Sequence, residues 1–202
     1  LGLSFPTGGG ECRLMIIETV VSTVDSGNSA NFAPMGVVFT PDGLVIRPFC
    51  TSRTYQNLQA TGQAVVNITD NVLLLARTAL GEKDVPYLPA RYVRSRVLAD
   101  ACRYYEVVVE DLRADGQRAS VSCRILWQGW IRDFAGFNRA KHAVVEAAIL
   151  ATRTHLFSRE LVAQKLAEYR LLVEKTGSHQ EKSAMEFIEH YLERRSGPWG
   201  CG

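Results

Sequence analysis

The feature that most limits the fold of this chain is a change of pattern near residue 135. Before it, β-branched runs alternate with turn clusters; after it, apolar residues recur at helical spacing. "LMIIETVVSTV" (Leu14–Val24) is rich in Val, Ile and Thr and predicts a long, largely buried strand. "DSGNS" (Asp25–Ser29) is a turn cluster. "NFAPMGVVF" (Asn31–Phe39) predicts a second strand, in which Pro34 and Gly36 predict an irregular or bulged backbone. "TPDG" (Thr40–Gly43) turns the chain into "LVIRPF" (Leu44–Phe49). "AVVNIT" (Ala64–Thr69) is a further strand, and "EVVVEDL" (Glu106–Leu112) and "RASVSCRILWQGWI" (Arg118–Ile131) flank the hairpin turn "RADGQ". Strands of this kind, joined mainly by short turns, predict an antiparallel barrel.

From Phe137 to Thr154 the chain is rich in Ala, Glu, Ile and Leu, which a helix accepts. Ser158 can cap a second helix, with Val162, Leu166, Tyr169 and Val173 as its stripe and Gly177 at its end. Ser178 and Glu181 have capping-box spacing for a third helix, whose apolar face is Ala184, Phe187, Ile188, Tyr191 and Leu192. Three such stripes must be covered by one another, by the barrel or by a partner. The fold class expected is therefore α+β, mainly β: an antiparallel split β-barrel with a C-terminal three-helix segment. Its expected divisions are a barrel domain over 1–135, a helical domain over 136–195 and a tail over 196–202.

Composition narrows the function. Of 202 residues 47% are apolar, enough for a substantial core, and 23 basic against 21 acidic residues leave a net charge of +2. That balance offers no electrostatic case for nucleic acid. No apolar run approaches a membrane span. The opening "LGLSFPTGGGECR" lacks the charged and apolar regions of a signal peptide. The five cysteines (Cys12, Cys50, Cys102, Cys123 and Cys201) form no CxxC, which disfavours a disulfide framework or a zinc site and suits a reducing cytoplasm. The four histidines have no HExxH spacing.

The stretch "RPFCTSRTYQNLQATGQAVVNITDN" (Arg47–Asn71) is the densest in chemistry. A short helix is expected from about Thr54 to Ala60. Ser52 or Arg53 then sits at its mouth, where free amides and the helix dipole attract an anion. Hydroxyls of Ser52 and Thr54, and the guanidinium of Arg47 or Arg53, would add donors. The plainer reading is that Thr51 or Ser52 caps the helix while Arg53 points to water. Neither GxxxxGK[ST] nor GxGxxG is present, so neither a P-loop nor a Rossmann turn is indicated.

The order strand, "SRTYQNL", "ATG", "AVVN" resembles the FMN-binding split-barrel superfamily of flavin reductases and pyridoxamine-phosphate-oxidase-like proteins. "NFAPMGV" resembles the segment that runs along the isoalloxazine ring in that superfamily. "GFNRAKHAVVEAAILATR" (Gly136–Arg153) is similar to the helical signature of the domain-of-unknown-function 447 family, the closest resemblance. It implies one FMN per subunit and a homodimer. Asn31, Ala33, Pro34, Met35 and Gly36 would border the ring, with the amides of Ala33, Met35 and Gly36 as donors because Pro34 has none. Arg47, Ser52, Arg53 and Thr54 would hold the phosphate, and Asn57 and Asn67 would meet the ribityl chain or nearby backbone. The function so implied is an FMN-dependent oxidoreductase acting on a small molecule, with NAD(P)H as a candidate reductant and a link to tetrahydromethanopterin one-carbon metabolism suggested by the family. The alternatives are a non-catalytic flavin carrier, an assembly partner, or a barrel that binds haem or another phosphorylated metabolite. No catalytic residue and no metal ligand is assigned.

Other residues admit two readings each. Asn138, Arg139 and Lys141 open a helix, and the cation pair Arg139 and Lys141 at its N-terminus opposes the dipole, so it offers either an anion contact or a solvated helix start. His142 is a proton donor or a surface residue, four positions before Glu146. Glu18 faces a pocket or a barrel rim. Trp127 and Trp130, three apart in a strand, point to opposite faces, so one is expected inside the barrel. Glu82–Arg96, with Tyr87, Tyr92, Arg94 and Arg96, is a substrate lid or a surface connection. Cys50 is a redox thiol or a small buried residue.

Overall fold

The computed structural model describes residues 15–82 and 84–196. The elements follow in the order β1 (Ile16–Val24), β2 (Ala30–Thr40), β3 (Gly43–Ile46), α1 (Arg53–Thr61), β4 (Gln63–Ile68), α2 (Val72–Ala79), β5 (Tyr87–Pro89), β6 (Arg96–Leu98), β7 (Arg103–Asp115), β8 (Arg118–Trp130), α3 (Arg139–Thr152), a 3₁₀ turn (Thr154–Leu156), α4 (Arg159–Thr176) and α5 (His179–Ser196). The expected tail lies outside the described residues except for Ser196, as do Cys12 and Cys201.

Six strands close into a barrel in the order β1-β2-β3-β8-β7-β4, with β1 pairing antiparallel to both β2 and β4. Two-residue turns build its hairpins: Pro41–Asp42 joins β2 to β3, and Gly116–Gln117 joins β7 to β8. Gly116 adopts φ 60, the left-handed position that such tight hairpins require. The interior is lined by Val21, Val37, Phe39, Leu44, Ile46, Leu58, Val66, Val107 and Val121. Tyr105 packs edge-on to Phe39, 5.0 Å between ring centroids.

Two expectations about this barrel are corrected. β2 carries no bulge: its pairing with β1 runs without a break from Ile16–Val38 to Val24–Ala30. Pro34 is tolerated because β3 pairs with β2 only over Val37–Thr40, so at Pro34 one side of β2 needs no ladder bond from that strand. Neither tryptophan fills the interior. Trp127 and Trp130 are both exposed, near the far end of a thirteen-residue β8 whose pairing with the four-residue β3 spans only Val121–Cys123.

The chain divides into two compact units. One comprises residues 1–68, 88–97 and 104–129; the other comprises 69–87, 98–103 and 130–202. The second unit has its own core, in which Val72, Leu75 and Ala76 of α2 pack with Ala140, Val144, Ala147 and Ala151 of α3, Val173 of α4, and Ala184, Met185, Ile188 and Leu192 of α5. Four helices therefore share this core, where three were expected. Caps set their limits: Asn71, Asn138 and Ser158 each accept an amide hydrogen bond at the heads of α2, α3 and α4.

The Tyr105 hydroxyl is buried and has no hydrogen-bond partner among the described residues. Leaving a hydroxyl unpaired in an apolar core costs free energy that removing it restores. Tyr105→Phe is therefore expected to hold or raise stability in chemical denaturation. A loss above about 1.5 kcal/mol would reveal a partner for the hydroxyl.

Candidate functional site

The polar knot folds as both sequence readings allow. Ser52 is the N-cap of α1, its Oγ accepting the Tyr55 amide at 3.2 Å. The amides of Arg53 and Thr54, in the first turn, lack intrahelical acceptors and remain open. Arg53 is exposed and its Nη2 donates to Asp25 Oδ2 at 3.1 Å. Asp25, in the β1–β2 turn, has its pKa lowered by the Ser29 amide first, with Arg53 adding to the effect against a small desolvation cost. With side chains 50% and 28% exposed, this pair is a weak, solvent-screened contact. A phosphate dianion can therefore recruit the guanidinium at little cost.

The second limb is the Asn31–Gly36 half of β2. β1 lies along one side of it, and the other side is beyond the reach of β3. Ala33, Pro34, Met35 and Gly36 are half-buried. The two-residue turn bonds Thr40 to Gly43 across to β3, so Gly36 and Pro34, of the same parity, face away from β1, while the Ala33 and Met35 amides face β1; of the three donors expected, Gly36 alone faces the open side. The two limbs meet directly: Asn31 Nδ2 donates to Thr54 Oγ at 3.1 Å, across 23 residues of sequence. An open strand edge thus lies beside an uncapped pair of helix amides and an available guanidinium.

Not every candidate faces that corner. Thr54 is buried, its hydroxyl engaged by Asn31. Asn57 is buried and donates to Thr23 Oγ at 3.0 Å; Asn67 is fully buried and donates to Val20 O at 2.9 Å and Ser22 Oγ at 2.7 Å. These two amides brace β1. Arg47 is exposed and lines a separate open cavity of about 460 Å³ with Phe49, Asp115, Gln117, Arg118, Ala119 and Ser120. Glu18 is exposed opposite Gly36, as a rim residue would be. Cys50 is half-buried, with Sγ 3.8 Å from the Gly116 carbonyl.

One functional-looking residue escaped sequence reasoning. Glu106 is completely buried in β7, and its carboxylate accepts the amides of Arg91 (2.9 Å), Tyr92 (2.6 Å) and Val93 (3.1 Å). Ser95 Oγ adds a bond to Ser22 O, and Arg94 one to Ser26 O. Residues 91–95 are thus fastened to the barrel, as a surface connection and not as a lid. On top of them Arg91 lies over the rings of Tyr92 and Trp127. The only sequence signal was an acid inside a β-branched run.

The cations at the head of α3 also resolve. Lys141 Nζ donates to Glu181 Oε1 (2.9 Å), Asp70 O (2.8 Å) and Gln180 Oε1 (3.2 Å), so its charge is matched within the protein and is not offered to a ligand. Asp70 accepts from Arg132 Nη2 at 2.6 Å and the Ala135 amide at 2.7 Å, and Arg132 Nε reaches Asp100 at 2.5 Å. His142 is exposed beside Phe137, 6.0 Å between ring centroids. Among the described residues no group of three or more His, Cys, Asp and Glu is placed for a metal, and no helix is long and apolar enough to cross a membrane.

A barrel with an open β2 edge, joined in one chain to a four-helix core, is an architecture with known relatives. The chain belongs to DUF447, a family of proteins of unknown function: the model of its N-terminal domain matches residues 17–132 and a second DUF447 model matches residues 138–190. An FMN-bound DUF447 protein from Methanosarcina mazei is 26% identical, with a TM-score of 0.77 over 89% of this chain and 96% of that one. The 2-nitrobenzoate 2-nitroreductase of Pseudomonas fluorescens is 19% identical, with a TM-score of 0.50 over 60% of this chain and 68% of that one. The flavin reductase component of a bacterial two-component tryptophan halogenase is 13% identical, with a TM-score of 0.50 over 58% of this chain and 81% of that one. The last two carry the fold alone.

The Lys141–Glu181 contact sets a pH dependence. Burial pushes the Glu181 carboxyl up, but hydrogen bonds from Lys141 and Ser178 outweigh it and hold the pKa at about 2, against an ordinary 4.5. Above 4.5 the group is ionised in folded and unfolded chains alike, and its stabilisation is fully present. As pH falls from 4.5 toward 2, the unfolded chain takes up the proton first and that stabilisation is lost. Denaturant titrations across this window should show stability falling in the wild type and a flatter curve in Glu181→Gln. Lys141→Met, which strands a buried carboxylate, is expected to cost about 3 kcal/mol at neutral pH.

Proposed function

We propose that this protein is an FMN-binding flavoprotein of the flavin-reductase-like type, with the ring along Asn31–Gly36 of β2 and the phosphate at the head of α1. The observation that carries this reading is the Asn31–Thr54 hydrogen bond, which sets an open strand edge against open helix amides and Arg53. The residues present suit the group. The amides of Arg53 and Thr54 point donors at an anion, the dipole of α1 favours negative charge, and Arg53 keeps donors beyond the one given to Asp25. Ser52 orients the first turn and lies at its mouth. The FMN-bound relative of the same family supports the assignment.

Bound flavin would supply hydride and electron transfer. The chain's own part is to hold the phosphate, to present the Gly36 amide to the ring, and to set half-buried Pro34 against it, while Met35 packs on the barrel core. Reduction of a small molecule by NAD(P)H, in a cytoplasmic homodimer, is the activity that this arrangement fits. A non-catalytic carrier is the second reading. It is favoured by one observation: the two limbs, Asn31–Gly36 and Ser52–Thr54, contain no carboxylate, histidine or thiol to move a proton.

Purified protein should carry or take up FMN and quench its fluorescence on titration. Arg53→Met and Ser52→Ala should weaken that binding about tenfold to a hundredfold, the effect of losing one charged hydrogen bond of about 1.5–3 kcal/mol. Steady-state NAD(P)H oxidation by the loaded protein then separates reductase from carrier. A preparation that never quenches flavin fluorescence, or variants with unchanged affinity, would contradict the site.

A further inference from the structure

We propose that the cavity lined by Arg47 and Arg118 is a second anion site, which takes the phosphate of a phosphorylated small molecule other than the flavin. The walls are built. The tip of the β7–β8 hairpin is stitched to the strand end after β3 by Cys50 N to Gln117 O and Ala119 N to Pro48 O, each 2.9 Å. Arg118 Nη1 donates to the Arg47 carbonyl at 2.9 Å, and its guanidinium lies 3.9 Å above the centroid of the Phe49 ring. Arg118 is thereby held by two contacts, and its remaining donors stay available.

Charge makes the second argument. Among the described residues Arg47 and Arg118 join no ion pair, as Arg91, Arg103 and Arg139 also do not, and these two line one cavity. Asp115 lines the same cavity without closing on either arginine, so the lining keeps a net charge of about +1 from two cations and one anion. Gln117 and Ser120 add neutral hydrogen-bonding groups. Two guanidinium groups against one carboxylate, one of them pre-oriented, suit the tetrahedral, multiply accepting oxygens of a phosphate. A volume of about 460 Å³ admits a small phosphorylated molecule. The inference goes beyond the flavin reading and does not rest on it.

The test is calorimetric titration of FMN-saturated protein with inorganic pyrophosphate. Wild type should bind it. Arg47→Met and Arg118→Met should each weaken binding tenfold or more while FMN affinity stays within twofold. Arg118→Lys, which keeps the charge but loses the planar fork, should fall between. Unchanged pyrophosphate affinity in both Met variants would overturn the proposal, and so would a wild type that does not bind. A parallel tenfold loss of FMN affinity would also overturn it, since the cavity would then hold the flavin's own phosphate. If the protein takes up no FMN, the flavin reading fails by itself, and the same titration on unloaded protein still decides. Competition by adenosine 2′,5′-bisphosphate or by ribose 5-phosphate then distinguishes a nucleotide from a sugar phosphate as the source.

Discussion

A mismatch of strand lengths governs this barrel. β2 has eleven residues and β3 has four, so among the described strands the Asn31–Gly36 half of β2 pairs with β1 and lies beyond its pairing with β3. An unpaired strand edge is ordinarily a liability that proteins cover or blunt. Here the chain partly blunts it with Pro34 and Gly36, and it places α1 beside it through the Asn31–Thr54 contact. What remains open is the Gly36 amide on a rigid wall, next to the Arg53 and Thr54 amides at a helix head. Backbone groups on a closed sheet are held in place by the whole barrel, and Ser52 and Arg53 add their side chains to that fixed frame.

The barrel's polar interior contacts serve the same end. Asn57 to Thr23, Asn67 to Val20 and Ser22, and Thr19 Oγ to Met35 O all fasten α1, β2 and β4 onto β1. Glu106 does comparable work at another place by accepting three consecutive amides. These buried groups are satisfied, so they hold the local geometry without the penalty of an orphaned charge. In the second unit the Lys141–Glu181 and Asp70–Arg132–Asp100 contacts do the same for helix heads.

Much of this was legible in the sequence, and the failures have physical reasons. The barrel strands, the caps at Ser52 and Ser158, and the Ser178–Glu181 box depend on local chemistry, which a sequence displays. α2 was missed because "VLLLARTA" is short and apolar on most sides, and such runs do not reveal their period. The bulge expected at Pro34 was wrong because an edge, invisible in sequence, already excuses a missing donor. The inward tryptophan was wrong because β8 runs well past its pairing with β3, so strand parity no longer sorts core from solvent. Arg47 and Arg53 stood as alternatives for the phosphate; the donation from Arg118 to the Arg47 carbonyl, across 71 residues, was beyond local sequence. Lys141 looked unpaired because Glu181 is 40 residues downstream.

The most direct measurement is a crystal structure of this protein grown with FMN, read for the position of the phosphorus atom. The phosphorus should lie with its oxygens within hydrogen-bonding distance of the Arg53 and Thr54 amides, and the ring against Ala33–Gly36. Phosphate density between Arg47 and Arg118 instead, or a head of α1 that stays without ligand under saturating FMN, would contradict it.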